Sequence, residues 1–298
     1  MSQRDPERRV FPTASEDVAH AAAPTPSPQT THPHYRLAFA DLDFLLREDL
    51  RPVRFQLELL KPELILSELG IASTFIFYGS ARVPEPKEAQ ARLAGATTAH
   101  ERTVATNMVA LSRYYDEARR LAQLVSSLPQ EADKRQFVVL SGGGPSFMEA
   151  ANRGARDVGA PSVALNIVLP HEQAPNEYVT ENLSFQFHYF ALRKMHFLMR
   201  ARAVAVFPGG YGTLDELFET LTLIQTGKIE PLPVLLFGRA FWESVINFQA
   251  LVDNGTISPK DVALFHFVET AEQAWGIVAD HYGLPCAETL SAQLPAVA

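Results

Sequence analysis

The chain has 298 residues, 47% of them hydrophobic and 20% charged, with a formal net charge of −8. This length and apolar content can bury a large core, while the negative balance speaks against a general nucleic-acid or anionic-membrane surface. Cys286 is the only cysteine, which excludes an intrachain disulfide and a cysteine-based metal cluster. No apolar run approaches the roughly 20 residues of a membrane span, and the opening MSQRDPERRV lacks the apolar stretch of a signal peptide, so a cytoplasmic protein is expected.

Residues 1–34, ending in AAAPTPSPQTTHPH, have little to bury and are expected to form a disordered tail. Residues 35–70 read as a helical extension, with Leu57, Leu59, Leu60, Leu64, Ile65 and Leu66 as its apolar surface. The main domain is expected over 71–285. It opens on the β-rich run IASTFIFY (71–78), which ends in Gly79-Ser80, and continues through residues 84–127, where YYDEARRLAQLV shows a helical 3.6-residue period. From there a strand, a turn and a helix alternate. Strands are predicted at 137–140, 162–168, 184–190, 203–207, 232–237 and 265–268, and helices at 191–202, around 241–251 and near 271–281. Residues 286–298 are set apart as a C-terminal tail. Short apolar strands alternating with helices predict an α/β fold with a mostly parallel sheet covered on both faces.

Two turns carry the chemistry. Pro208-Gly209-Gly210-Tyr211-Gly212-Thr213-Leu214-Asp215-Glu216 joins a strand to a helix. Its glycines let backbone N–H groups approach an anion, Thr213 offers a hydroxyl, and the helix start favours negative charge, so a phosphate is the natural ligand. Glu216 lies one turn further along, within reach of a sugar carried by that phosphate, and the helix start should favour its ionised form. Leu214, Leu217, Phe218 and Leu221 are expected on the buried side. The second turn, Ser141-Gly142-Gly143-Gly144-Pro145-Ser146-Phe147-Met148-Glu149, also leads into a helix; Gly143 and Gly144 are phosphate candidates. Met148 by itself reads as core packing and is kept as a candidate contact only with its turn. Two such turns at the carboxyl ends of parallel strands can converge on one crevice. A third, Gly79-Ser80-Ala81-Arg82, follows the first strand, and Arg82 is either a surface residue or a ligand contact. Arg193-Lys194 in ALRKMHF is by itself a solvated pair, but beside these loops Arg193 could fork onto a phosphate or carboxylate. No GxGxxG follows the first strand, no GxxxxGK[ST] and no HExxH occur, which disfavours a dinucleotide dehydrogenase and a P-loop NTPase. No metal or cofactor is required.

FYGSAR, GGGP with MEAANRGA, LNIVLPHEQ, ALRK and PGGYGTLDE together resemble the LOG family, cytokinin riboside 5′-monophosphate phosphoribohydrolases long mislabelled as lysine decarboxylases. The resemblance runs over about 71–285, and LNIVLPHEQAPNEYV with the N-terminal helices is similar to its longer bacterial branch. It implies a Rossmann-like fold, a homodimer or an assembly of dimers, and hydrolysis of the N-glycosidic bond of AMP or N6-modified AMP to free base and ribose 5-phosphate. It assigns catalytic roles to Arg193 and Glu216, with the Gly-rich turns carrying the phosphate. In this reading Lys194, Gly79, Ser80, Arg82 and Met148 join Gly143, Gly144, Gly209, Gly210, Gly212 and Thr213 around the substrate. Where many relatives read GGGPG, this chain has Ser146, which could narrow the turn. Arg193 either holds the phosphate or positions Glu216. The alternative function is a non-catalytic nucleotide sensor on the same fold.

Overall fold

The computed structural model describes residues 11–22, 24–131, 133–170 and 174–292. His171, Glu172 and Gln173 of the LNIVLPHEQ motif therefore lie outside the described residues, as do parts of both segments read as tails. The chain divides into two units, 1–58 and 59–298. In the first, helix α1 (Ala14–Ala21) falls inside the segment expected to be disordered. It is opened by a capping box between Thr13 and Glu16 and buries none of its residues. Helix α2 (Leu42–Leu45) follows, and the Arg54 guanidinium donates to the Leu45 carbonyl at 2.9 Å. Helix α3 (Arg51–Glu68) runs on into the second unit.

The second unit is a seven-stranded, wholly parallel sheet. Strand β1 (Thr74–Tyr78) leads into helices α4 (Pro86–Gly95) and α5 (Ala99–Ser126). Strand β2 (Val138–Ser141) is followed by α6 (Phe147–Asp157), and β3 (Ser162–Ile167) by β4 (Ser184–Phe187) and α7 (Phe190–Met199). Strand β5 (Ala201–Val206) leads into α8 (Tyr211–Gln225), and β6 (Val234–Phe237) into α9 (Arg239–Val245) and α10 (Phe248–Asp253). Strand β7 (His266–Val268), α11 (Ala271–Tyr282) and α12 (Ala287–Ser291) complete it. The strand order is β4-β3-β2-β1-β5-β6-β7. The chain thus builds outward from β1 on one side, then returns to β1's other edge at β5, and the crevice at such a switch point is where open α/β sheets bind ligands.

Strand alternation divides the core between the two faces of the sheet. Phe75 and Phe77 of β1 point into a cluster with α5, α6 and α11, while Ile76 and Tyr78 point into one with α7, α8 and α9. Three expectations need correction. The helix predicted at 191–202 ends at Met199, and Ala201 and Arg202 already belong to β5. The single helix around 241–251 is two, because Ile246 is extended (φ −134°) and Asn247 caps a new start by accepting from the Ala250 N–H. On α8 the buried line is Thr213, Leu217, Thr220 and Ile224, whereas Phe218 is 38% exposed, one residue and so about 100° around the axis from Leu217. Residues 286–298 open on α12, which puts Ala287 and Leu290 into the core. No helix of the described residues is long and apolar enough to cross a membrane.

Candidate active site

The three loops leaving β1, β2 and β5 are neighbours because their strands are. The Phe207 N–H donates to the Tyr78 carbonyl at 2.8 Å and the Ser80 N–H to the Pro208 carbonyl at 3.2 Å, so the loops after β1 and β5 are stitched together beyond the sheet. The Ser80 hydroxyl oxygen accepts from the Arg82 N–H at 3.0 Å and closes its own turn. A Cβ on Gly79 would sit 2.8 Å from the Phe147 ring and 3.0 Å from Phe207; the residue is fixed by packing. In the β5 loop, a Cβ on Gly209 would collide with the buried Thr213 hydroxyl, whereas Gly210 and Gly212 face open space. The first turn of α8 has no side-chain cap, so its N–H groups are not met by a side chain there.

Arg193 and Glu216 meet over this edge. Arg193 projects from α7, donates from Nε to the Leu165 carbonyl at 2.7 Å and lies over the Phe197 ring at 5.0 Å. Its Nη1 is 3.7 Å from Glu216 Oε1, and a Cβ on Gly142 would stand 2.7 Å from its Nη2. The guanidinium thus bridges the ends of β3 and β2 to α8, held by a carbonyl on one side and a ring beneath, with a carboxylate facing it. Burial raises the Glu216 carboxyl to about 7, more than Arg193 lowers it, with Asp215 and Glu219 adding to the rise. The expectation that the helix start holds Glu216 ionised is therefore corrected: desolvation raises the carboxyl more than Arg193 and Lys194 lower it. Tyr78, buried at the end of β1 with its ring edge-on to Phe197, has its hydroxyl pushed up by burial first and then by the Glu216 charge. Lys194 does not join the pair; its ammonium lies 3.1 Å from Asp215 and 3.3 Å from Glu219.

The β2 turn is more strongly tied than its sequence suggests. Gly143 has φ +76°, and its N–H donates to the Ser141 hydroxyl at 3.0 Å, so that amide serves the turn. Met148 packs over the turn, its Sδ 2.8 Å and Cε 2.7 Å from the positions a Cβ would take on Gly142 and Gly144. Ser146 takes φ +67°, is 6% exposed and donates to the Val83 carbonyl. Its side chain points away to the β1 loop, so the substitution is accommodated at the cost of a backbone conformation glycine prefers. Arg82 is exposed. It lines a cavity of about 1170 Å³ between the β1 and β2 loops, α4 and α5, together with Tyr115, Ser146, Glu149, Arg153 and Tyr178. Two residues singled out by nothing in the sequence, Asn152 and Asn176, hold the turn from behind. The one available signal was a polar residue on the otherwise small, apolar face of MEAANRGA. No group of three or more His, Cys, Asp or Glu among the described residues is placed to hold a metal.

A family model described as possible lysine decarboxylase matches residues 148–278, from the first turn of α6 into α11. Two curated relatives from Arabidopsis thaliana are named cytokinin riboside 5′-monophosphate phosphoribohydrolase: LOG2, 30% identical over 149 residues (49% of this chain, 65% of the relative), and LOG7, 44% identical over 69 residues (22% and 31%). The chain thus spans less than two thirds of the length of the curated relatives it matches. A solved structure, that of TM1055, aligns with 70% of this chain and 99% of its own at 21% identity and a TM-score of 0.45. The family match and the named relatives agree with the resemblance to the LOG family read from the motifs.

Proposed function

We propose that this chain, which resembles the LOG family, hydrolyses the N-glycosidic bond of a nucleoside 5′-monophosphate, AMP or an N6-modified AMP, to free base and ribose 5-phosphate. The observation that carries the reading is the partly buried Arg193–Glu216 pair, 3.7 Å apart, at the sheet's switch point beside two Gly-rich helix starts. A phosphate at the open Gly210–Gly212 backbone would meet the uncapped N–H groups of α8. The ribose it carries would lie along the first turns of that helix, where Glu216 stands.

Breaking the ribosyl bond builds positive charge on C1′ and O4′. An ionised Glu216 fixed beside the ribose stabilises that charge and can orient the attacking water. A carboxyl with its midpoint near 7 also exchanges protons easily at neutral pH, as acid–base chemistry needs. Arg193 supplies donors beyond those used by Leu165 and Glu216 and can take a phosphate oxygen or keep Glu216 in place. In this reading the protein works as a homodimer or an assembly of dimers. The test is incubation of the purified protein with a panel of purine and pyrimidine monophosphates and their nucleosides, followed by chromatography for released base. Release of adenine from AMP or its N6-modified forms, with none from the nucleosides, supports the reading; no base from any monophosphate overturns it.

A further inference from the structure

Beyond the pair that would do the chemistry, one loop residue controls the shape of the second Gly-rich turn. Asn176 lies on the segment between β3 and β4. Its N–H donates to the Gly143 carbonyl at 2.8 Å. Its Nδ2 stands 3.0 Å from the carbonyl oxygens of Gly143 and Gly144 and from Asn152 Oδ1. Asn152, 0% exposed, also accepts from the Ser141 hydroxyl at 2.8 Å, and that hydroxyl receives the Gly143 N–H. Four side chains and backbone groups thus close a ring behind the turn. The flanking segment is tacked down independently: Arg156 donates to the Glu177 carbonyl at 2.9 Å, and the guanidinium groups of Arg153 and Arg156 lie 5.4 and 5.5 Å from the Tyr178 ring.

We propose that Asn176 is a positioning residue for anion binding, which clamps the Gly143 and Gly144 carbonyls so that the Gly144 N–H is presented on the opposite side of the turn. A trans peptide is planar, so the N–H of Gly144 points opposite to the Gly143 carbonyl; drawing that carbonyl back onto Asn176 turns the amide the other way. Without the side-chain amide, the Gly144 carbonyl loses this partner and the Gly143 carbonyl keeps only the backbone N–H of residue 176, so the glycines at 142–144 can rotate these planes more readily and place carbonyl oxygens, which repel phosphate, where the amide stood. The side-chain amide suits this task because its two protons are shared among the Gly143 and Gly144 carbonyls and Asn152 Oδ1 while the backbone N–H holds Gly143 as well, and its Oδ1 accepts from the Tyr178 N–H at 3.2 Å and fixes its own orientation.

This proposal rests on the phosphate-binding reading above, and its test separates the two. Asn176→Ala and Asn176→Asp are compared with the parent by calorimetry with AMP and by amide hydrogen exchange over residues 141–147. Aspartate keeps the shape and the acceptor for Tyr178 but offers no donor to the carbonyls. The expected result is AMP affinity lowered about tenfold or more in both variants, the scale of losing hydrogen bonds that hold an anion site, with faster exchange confined to the turn and an unchanged kcat for bound substrate. Parent-like affinity and exchange in Asn176→Asp, with loss only in Asn176→Ala, would show that bulk rather than donation matters and would overturn the proposal. So would parent-like exchange at the turn in both variants. If the parent itself fails to bind AMP, the functional reading falls, and the exchange rates alone decide whether Asn176 is a clamp.

Discussion

Glu216 illustrates how burial and charge compete at a single residue. Its carboxyl titrates near 7 instead of the ordinary 4.5 because desolvation outweighs the facing Arg193. Activity that needs the carboxylate should therefore fall as the pH drops through about 7, and a kcat–pH profile of the parent should show that limb. The stability consequence has the opposite sign. Between pH 4.5 and 7 the folded protein keeps a proton on Glu216 that the unfolded chain has released, so stability declines as pH rises through that window, by up to about 3 kcal/mol. Glu216→Gln is expected to lower turnover on the order of 10²-fold or more, to keep AMP affinity within about tenfold because the Gly-rich backbone is intact, and to melt higher than the parent at pH 8 but not at pH 5. A Gln variant that melts lower than the parent at pH 8 would show that the ionised carboxyl is not costly in the fold. Arg193→Ala should damage both binding and turnover, since one guanidinium touches Leu165, Phe197 and Glu216. Asp215→Asn loses an exposed ion pair with Lys194, worth under about 1 kcal/mol, and should cleave like the parent; a dead Asp215→Asn beside an active Glu216→Gln would place the catalytic carboxylate one residue away.

At the scale of elements, the crossing of α5 and α6 depends on Gly154. A Cβ there would collide with the Arg119 carbonyl and approach Ala122 to 2.8 Å, and the same crossing is locked by Arg119 and Gln123 on Asp157, Gln123 donating from Nε2 to Asp157 Oδ2 at 2.9 Å. Gly154→Ala is expected to destabilise by about 1–3 kcal/mol as overpacking does, visible as a Tm lowered by several degrees with AMP affinity little changed. A Tm equal to the parent's would mean that the helices slide apart freely. Nothing in the sequence marked Gly154, because MEAANRGA reads as a small-residue helix whichever partner it meets. The strands were legible for the opposite reason: runs such as TFIFY and AVAV (203–206) are buried throughout in a sheet covered on both faces, so their composition declares them, whereas Ala201 and the exposed Arg202 of the same strand read as the end of the preceding helix. The strand order was not, since it depends on which helix crosses which face. The turns and the Arg193–Glu216 pair were legible through residue types that such chemistry restricts. Asn176 was not, because it acts on backbone atoms that only the folded turn brings to it. The Phe218 and 241–251 errors have local causes, a helix face misjudged by one residue and a cap that periodicity does not see.

At the scale of the whole molecule, two expectations concern what lies around the sheet. The N-terminal half of α5 is largely exposed, with Val104 at 40%, and a helix of 28 residues has room to bury a two-fold interface; light scattering at micromolar concentration should give a multiple of the 32.9 kDa chain mass, and a monomer would count against the dimer. The other concerns residues 1–34. Their composition gives little to bury, and the one α-helix among the described residues of this segment, α1, is held by its own capping box, Thr13 donating and accepting with Glu16, and buries nothing. A helix of 8 residues is too short to persist on local bonds in water, so it adds little to the free energy of the fold. Everything assigned to binding and cleavage lies beyond Tyr78, on loops and helices of the second unit. A chain starting near residue 35 is therefore expected to keep its AMP affinity, its turnover and its Tm. A Tm lower by several degrees would show that the segment packs, and a lost activity at unchanged Tm would place one of its residues at the site; either result would end the view that these residues are dispensable.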